Sequence, residues 1–281
     1  MRRARPRRRV WGSAAALLFI IGAALAAPII AGDPITPDVE HGLDARGAPR
    51  PPSAARWLGT DALGRDVWAR LWFGARRSLA IGGAATALGC ALGVGVGLVA
   101  ASRGGATDAV AMRAIDATLG VPALLVAALA AAALRAAHVD DAVAVVATLT
   151  VLGWTTMARV VRAQAQLVYR SDYVLAARAL GASPRRVLVR HVLPALTGVI
   201  AALSAMALAT NLVLEAGLGF VGLGAAPPHP SLGAMLADGQ PYLRDAPWLV
   251  LAPGLAMVCT VAACNLLGDG LRAANEADVP A

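Results

Sequence analysis

The chain contains no lysine; all 25 of its basic residues are arginine. A Walker A loop places a lysine on the nucleotide phosphates, so a standard P-loop ATPase is excluded. Schiff-base and pyridoxal phosphate chemistry need the same residue and are excluded with it. Cysteine is scarce too. Cys90, Cys259 and Cys264 all lie in apolar runs without metal-ligand spacing, and read as small hydrophobes. The four histidines, at positions 41, 138, 191 and 229, are scattered. No metal and no cofactor is therefore expected. No separate soluble catalytic domain is expected either, because the 281 residues are used up by apolar runs and their connections.

Apolar sequence is what the chain has in excess. Hydrophobic residues make up 58% of it and the mean hydropathy is +0.64, where a soluble domain runs at about 45–50% apolar. The excess falls in six runs without charge: 11–31, 78–102, 117–134, 142–158, 195–214 and 246–268. Each approaches or exceeds the length that crosses ~30 Å of hydrocarbon as helix. These features predict an all-α, polytopic membrane protein with six transmembrane helices. The net charge of +8 and pI near 10.8 then point to contact with anionic membrane lipid and to topology control, not to nucleic acid.

Arginine placement orients the spans. Residues 1–10 form a basic N-terminus with six arginines, and 11–31 exceeds the usual apolar stretch of a signal peptide. It reads as an uncleaved first span entering from the cytoplasm. Arg103, Arg113, the arginines from 159 to 190 and Arg272 then also fall inside, and the tail 269–281 ends in the cytoplasm. The external loop expected at 32–77 is broken by prolines. Its end, from Arg65 to Arg77, carries Trp68, Leu71 and Trp72 on one helical face, which predicts a short amphipathic helix in the interface. The core of the membrane-spanning body is expected from 78 to 268.

Three segments carry the finer reading. Gly89, Gly93 and Gly97 repeat at every fourth position in the second span, a small-residue stripe that lets two helices pack closely. Between spans four and five, residues 163–194 predict a protruding helix–turn–helix. Its first helix starts at Ser171 or Asp172, and Gly181 fits the left-handed position after it. Ser183 caps a second helix with Pro184 at its first position, running towards His191. Tyr173, Ala176, Ala177 and Leu180 share one face, ringed by Arg178, Arg185, Arg186 and Arg190. An interfacial helix lying on lipid is the alternative on these features. The third segment, Glu215 to Gly224, is apolar yet broken by Gly217, Gly219, Gly222 and Gly224, with Phe220 among them and prolines at 227, 228 and 230 beyond. Irregular apolar backbone at membrane depth must be buried in protein or line a cavity, so a gate or vestibule at the outer face is expected. Glu215 enters it as a functional candidate, or as a carboxylate capping the loop's own amides.

Five motifs in order resemble one family: Leu58-Gly59-Thr60-Asp61-Ala62-Leu63-Gly64-Arg65-Asp66; Met112 to Asp116; Asp172 to Gly181 with His191-Val192-Leu193-Pro194; Glu215 to Gly224; and Asn265 to Arg272. Together they resemble the C-type inner-membrane permease subunit of dipeptide, oligopeptide or nickel ABC importers. That resemblance implies the ABC importer permease fold and a heterodimer with a second permease subunit around one pathway. It further implies two cytoplasmic ATPase subunits beneath, an external solute-binding protein, and a bacterial inner or plasma membrane. It makes 163–194 a coupling loop that seats in an ATPase groove. The family commonly has glutamate where Leu175 stands, serine at Gly219 and tryptophan at Leu232. An ion-coupled secondary transporter would show charged or unwound residues inside several spans; these runs carry none.

Overall fold

The computed structural model describes residues 4–224 and 228–277. Pro227 and the two extreme ends of the basic N-terminus and the tail lie outside the described residues. Among these residues the fold is helical, with two isolated β-bridges and no strands.

Helix α1 (Ala4–Leu25) gives way to a short α2 (Ala27–Ile30) with Pro28 in its first turn. The connection to the next span, instead of trailing loosely, is a folded cap. Asp38 caps α3 (Val39–Gly42) by accepting from the His41 amide. That amide, and to a lesser degree the Arg56 guanidinium, hold the Asp38 carboxyl below the usual carboxylate range. Arg56 also reaches the Gly64 carbonyl at 2.7 Å, and the buried Thr60 hydroxyl donates to Gly42 at 2.6 Å. Asp61 is the hub of the motif at 58–66. It accepts from the amides of Leu63 and Arg65 and from the Arg65 side chain at 2.7 Å.

Helix α4 (Val67–Arg103) corrects the first expectation. The stretch from 65 to 77 is no separate interfacial helix; it forms the opening turns of a continuous 37-residue helix capped by Asp66. Charges at 65, 66, 70, 76 and 77 set that stretch apart in the sequence; the most buried of them is Arg70. It is only 4% exposed and is neutralised by Asp61 at 3.0 Å and by Asp238 at 3.1 Å.

The expected third span is also corrected. Its backbone breaks at Gly120–Pro122 into α5 (Gly105–Leu119) and α6 (Ala123–Ala136), which meet at 91°. Pro122 cannot donate into the preceding turn and disfavours a helical residue before it. Helix α7 (Asp141–Tyr169) follows. Asp108 and Asp116 of α5 pair with Arg162 and Arg159 of α7, so α5 is pinned by charge. Among the described residues four helices are long and apolar enough to cross a bilayer, or five with the bent pair as one; Val10–Leu25 is apolar but shorter. The six uncharged runs thus do not become six full-length helices.

Helices α4 and α7 run parallel, backbone against backbone. A Cβ on Gly93 would lie 2.6 Å from the Trp154 carbonyl, and one on Gly97 would lie 2.7 Å from that of Ala158. Gly89 faces Thr150 more loosely, at 3.6 Å. The polar pair Asn211 and Thr86, 2.9 Å apart and buried, joins α4 to α10 (Leu193–Phe220). Helix α12 (Trp248–Ala277) packs on α10, with Cys264 and Leu17 of α1 in the same apolar cluster. It continues helically well past the expected span end at 268.

Candidate functional site

The two segments singled out above sit at opposite ends of α10. Helix α8 (Asp172–Ala179) and α9 (Pro184–Val187) lie at its start, and the glycine-rich stretch forms its finish. At 1.5 Å per residue the 28 residues of α10 place its two ends about 42 Å apart.

At the start, Val174, Val187 and Val192 are fully buried against Leu98 of α4 and Val161 of α7. Each such burial contributes about 1.5–3 kcal/mol, so the element is anchored through its valines. Val174 was not among the residues the sequence singled out. Ser171 takes the position before α8 without capping it; its hydroxyl donates to Val168. The far end closes in a Schellman motif. Gly181, at φ +84°, donates to Arg178, and Ala182 donates to Ala177 at 3.0 Å. Ser183 caps α9, but this helix is one turn long and does not run on to His191 as an α-helix. A wider π-turn over Leu188–Val192 carries the chain into α10. Tyr173, Leu175, Ala176 and Leu180 are exposed, Leu180 at 89%, whereas Ala177 is half-buried. The open apolar face is therefore Tyr173, Ala176 and Leu180, with Arg185 and Arg186 exposed beside it.

At the finish, the backbone is more regular than expected. Helix α10 continues through Gly217 and Gly219 to Phe220, and only then turns. A second Schellman motif ends it: Gly222 has φ +79° and donates to Gly219, and Leu223 donates to Leu218 at 2.8 Å. The glycines at 219, 224 and 233 let the returning chain lie on the last turn. A Cβ at 219 would stand 3.1 Å from the Ala234 amide, and one at 224 would stand 2.5 Å from the Gly219 Cα. Glu215 does not cap this loop. It is fully buried inside α10 and faces the hydroxyls of Ser78 on α4 and Ser231, which caps α11 (Leu232–Gly239). Neither carboxylate oxygen has a partner in good hydrogen-bond geometry. The Ser78 hydroxyl accepts from the Leu232 amide at 3.2 Å, so α4, α10 and α11 converge on Glu215.

Two arginines completing this end escaped the sequence reading. Arg70 ties the cap to α11 through Asp238, and Arg135 at the end of α6 reaches Asp141, Gly222 and Gly224. Nothing local marks either one, because their partners lie up to 168 residues away. A cavity of about 640 Å³ opens between Arg65, Arg70, Arg135 and Asp238 and the α10 cap. Among the described residues no cluster of His, Cys, Asp or Glu could hold a metal ion.

Comparison with known proteins gives one consistent result. The family of binding-protein-dependent transport system inner membrane components matches residues 93–279. The oligopeptide transport system permease protein OppC of Bacillus subtilis is 39% identical over 82% of this chain and 74% of its own length. The glutathione transport system permease protein GsiD of Pectobacterium atrosepticum is 36% identical over 85% and 78%, and the Bacillus subtilis dipeptide permease protein DppC is 38% identical over 80% and 70%. An inward-facing form of the MetNI methionine ABC transporter matches in fold, with a TM-score of 0.60 and 20% identity over 74% of this chain and 97% of the other.

Proposed function

The chain belongs to the family of binding-protein-dependent transport system inner membrane components, as a multi-pass permease subunit of an ATP-binding cassette importer, and from that premise we propose that its solute is a peptide or a close chemical relative. The names of the relatives, oligopeptide, dipeptide and glutathione, support this class. Its partners are a second, homologous permease, two cytoplasmic ATPases and an external solute-binding protein. The end bearing α8 faces the cytoplasm with both termini, and the Glu215–Gly224 end closes the pathway outside.

One observation carries the assignment of the docking element. Helix α8 is fixed from below by Val174 and stopped by a left-handed cap, yet it leaves Tyr173, Ala176 and Leu180 open. An apolar face so rigidly presented needs a cover, and an ATPase groove lined by apolar and acidic groups would match it and the arginines around it. Leu175, exposed at the family's usual acidic position, makes this face more apolar. Movement of the ATPases would then be delivered to α10, which starts where this element ends. The chain supplies mechanics and no bond chemistry; the work comes from the difference in ATPase affinity between two arrangements of the spans.

The test is Ala176→Arg in the assembled transporter. A side chain forced into a close interface costs about 1–3 kcal/mol, so co-purification of the ATPases should fall and ATP-dependent uptake with it, while membrane insertion is unchanged. Full ATPase retention together with normal uptake would place docking elsewhere.

A further inference from the structure

We infer that Arg135 is the latch of the outer closure, a positioning residue that holds the finish of α10 to the corner between α6 and α7. This deepens, and rests on, the reading of Glu215–Gly224 as that closure.

The guanidinium has three acceptors on two elements. Nε donates to Asp141 Oδ1 at 2.5 Å, Nη1 to the Gly222 carbonyl at 2.7 Å, and Nη2 to the Gly224 carbonyl. The two carbonyls belong to the turn that ends α10. Among the described residues no backbone amide donates to either. The Schellman cap is what presents them, since the positive φ at Gly222 turns the chain back and aims its carbonyls away from the helix axis. Asp141 orients the fork from the first turn of α7, where a carboxylate is favoured, and Arg135 sits at the last turn of α6, where a cation is favoured.

The surroundings suit a bond that is made and broken. Arg135 lines the open cavity of about 640 Å³, whose charged lining also includes Arg65, Arg70 and Asp238. Water in that cavity can replace the arginine on the two carbonyls. Closure is thus favoured by a few charge-assisted hydrogen bonds, a preference small enough for a movement of the spans to reverse. A lysine could not reproduce the arrangement, because one ammonium lacks the planar fork that reaches three acceptors on two sides. Neither motif nor local pattern marks this residue, and its role depends on the fold bringing 135, 141, 222 and 224 together.

The experiment uses the complete transporter in proteoliposomes, with Cys90, Cys259 and Cys264 replaced by alanine and a reporter at Ala237→Cys on the half-buried cavity face of α11. An impermeant maleimide is applied from outside without ATP. Arg135→Gln should raise the labelling rate at least about tenfold, the equivalent of one lost charge-assisted hydrogen bond. Arg135→Lys should fall between the two, and Asp141→Asn should raise the rate by less than Arg135→Gln. Where Arg135→Gln fails to assemble, Asp141→Asn gives the decision. Labelling at the parental rate in Arg135→Gln, or in Asp141→Asn in that case, would overturn the latch. Uptake by the parent is measured separately: its absence would count against the importer reading, whatever the labelling rates.

Discussion

At the residue scale the seam between α4 and α7 separates glycines that look alike in the sequence. Gly93 and Gly97 have a carbonyl of α7 where a Cβ would go; Gly95, between them, has open space. Gly93→Ala must therefore part the two helices, at a cost of about 1–3 kcal/mol, while Gly95→Ala should be neutral or slightly stabilising through helix propensity. Gly89→Ala, with ordinary contact at 3.6 Å, should resemble Gly95→Ala. Thermal unfolding of the purified subunit in detergent, compared across the three variants, checks the order. Equal losses at 93 and 95 would mean that the seam does not set the helix spacing. The repeat at every fourth residue was legible, because spacing is a property of sequence. Which partner it met was not.

At the element scale, legibility followed the range of the forces involved. Uncharged runs show themselves because hydropathy sums over neighbours. The Pro122 bend was hidden inside one such run, since hydropathy carries no direction. The start of α4 was misplaced because charges from Arg65 to Arg77 set that stretch apart from the uncharged run, although the most buried of them, Arg70, is neutralised by Asp61 and Asp238. The finish of α10 was read as irregular because glycine is a weak helix former, yet packing against Gly233 and Ala234 holds it helical. Charge pairs also explain how the bent pair keeps its place. Asp108 and Arg162 bond through both carboxylate oxygens, and Asp116 with Arg159 adds a second pair across the α5–α7 contact. Asp108→Asn should destabilise the subunit by about 1.5–3 kcal/mol, the worth of a charge-assisted pair, and the exchange Asp108→Arg with Arg162→Asp should recover part of it. Thermal unfolding again reads this. No loss in the single variant would leave α5 held by its apolar face alone.

For the whole molecule, the prediction is one of sidedness. Ser183 at the α9 turn and His229 near the α10 finish are both exposed and lie at opposite ends. On the cysteine-free background, His229→Cys in intact cells should react with an impermeant maleimide and Ser183→Cys should react only after the membrane is opened. The reverse pattern would invert the orientation and move the docking element to the other side.

The unbroken run from α9 through the π-turn into α10 has a consequence of scale. Pro184 to Phe220 is 37 residues of continuous helix, a rod of about 55 Å at 1.5 Å per residue. A pivot of about 5° at one end of such a rod sweeps the other through about 5 Å, close to one helical turn. Leverage of that size needs no sliding of side chains along its length and no signal relayed from residue to residue. It needs a stiff shaft and a compliant bearing, and the α-helical hydrogen-bond ladder is interrupted near the start of the shaft, at the widened turn Leu188–Val192 and at Pro194 just after it.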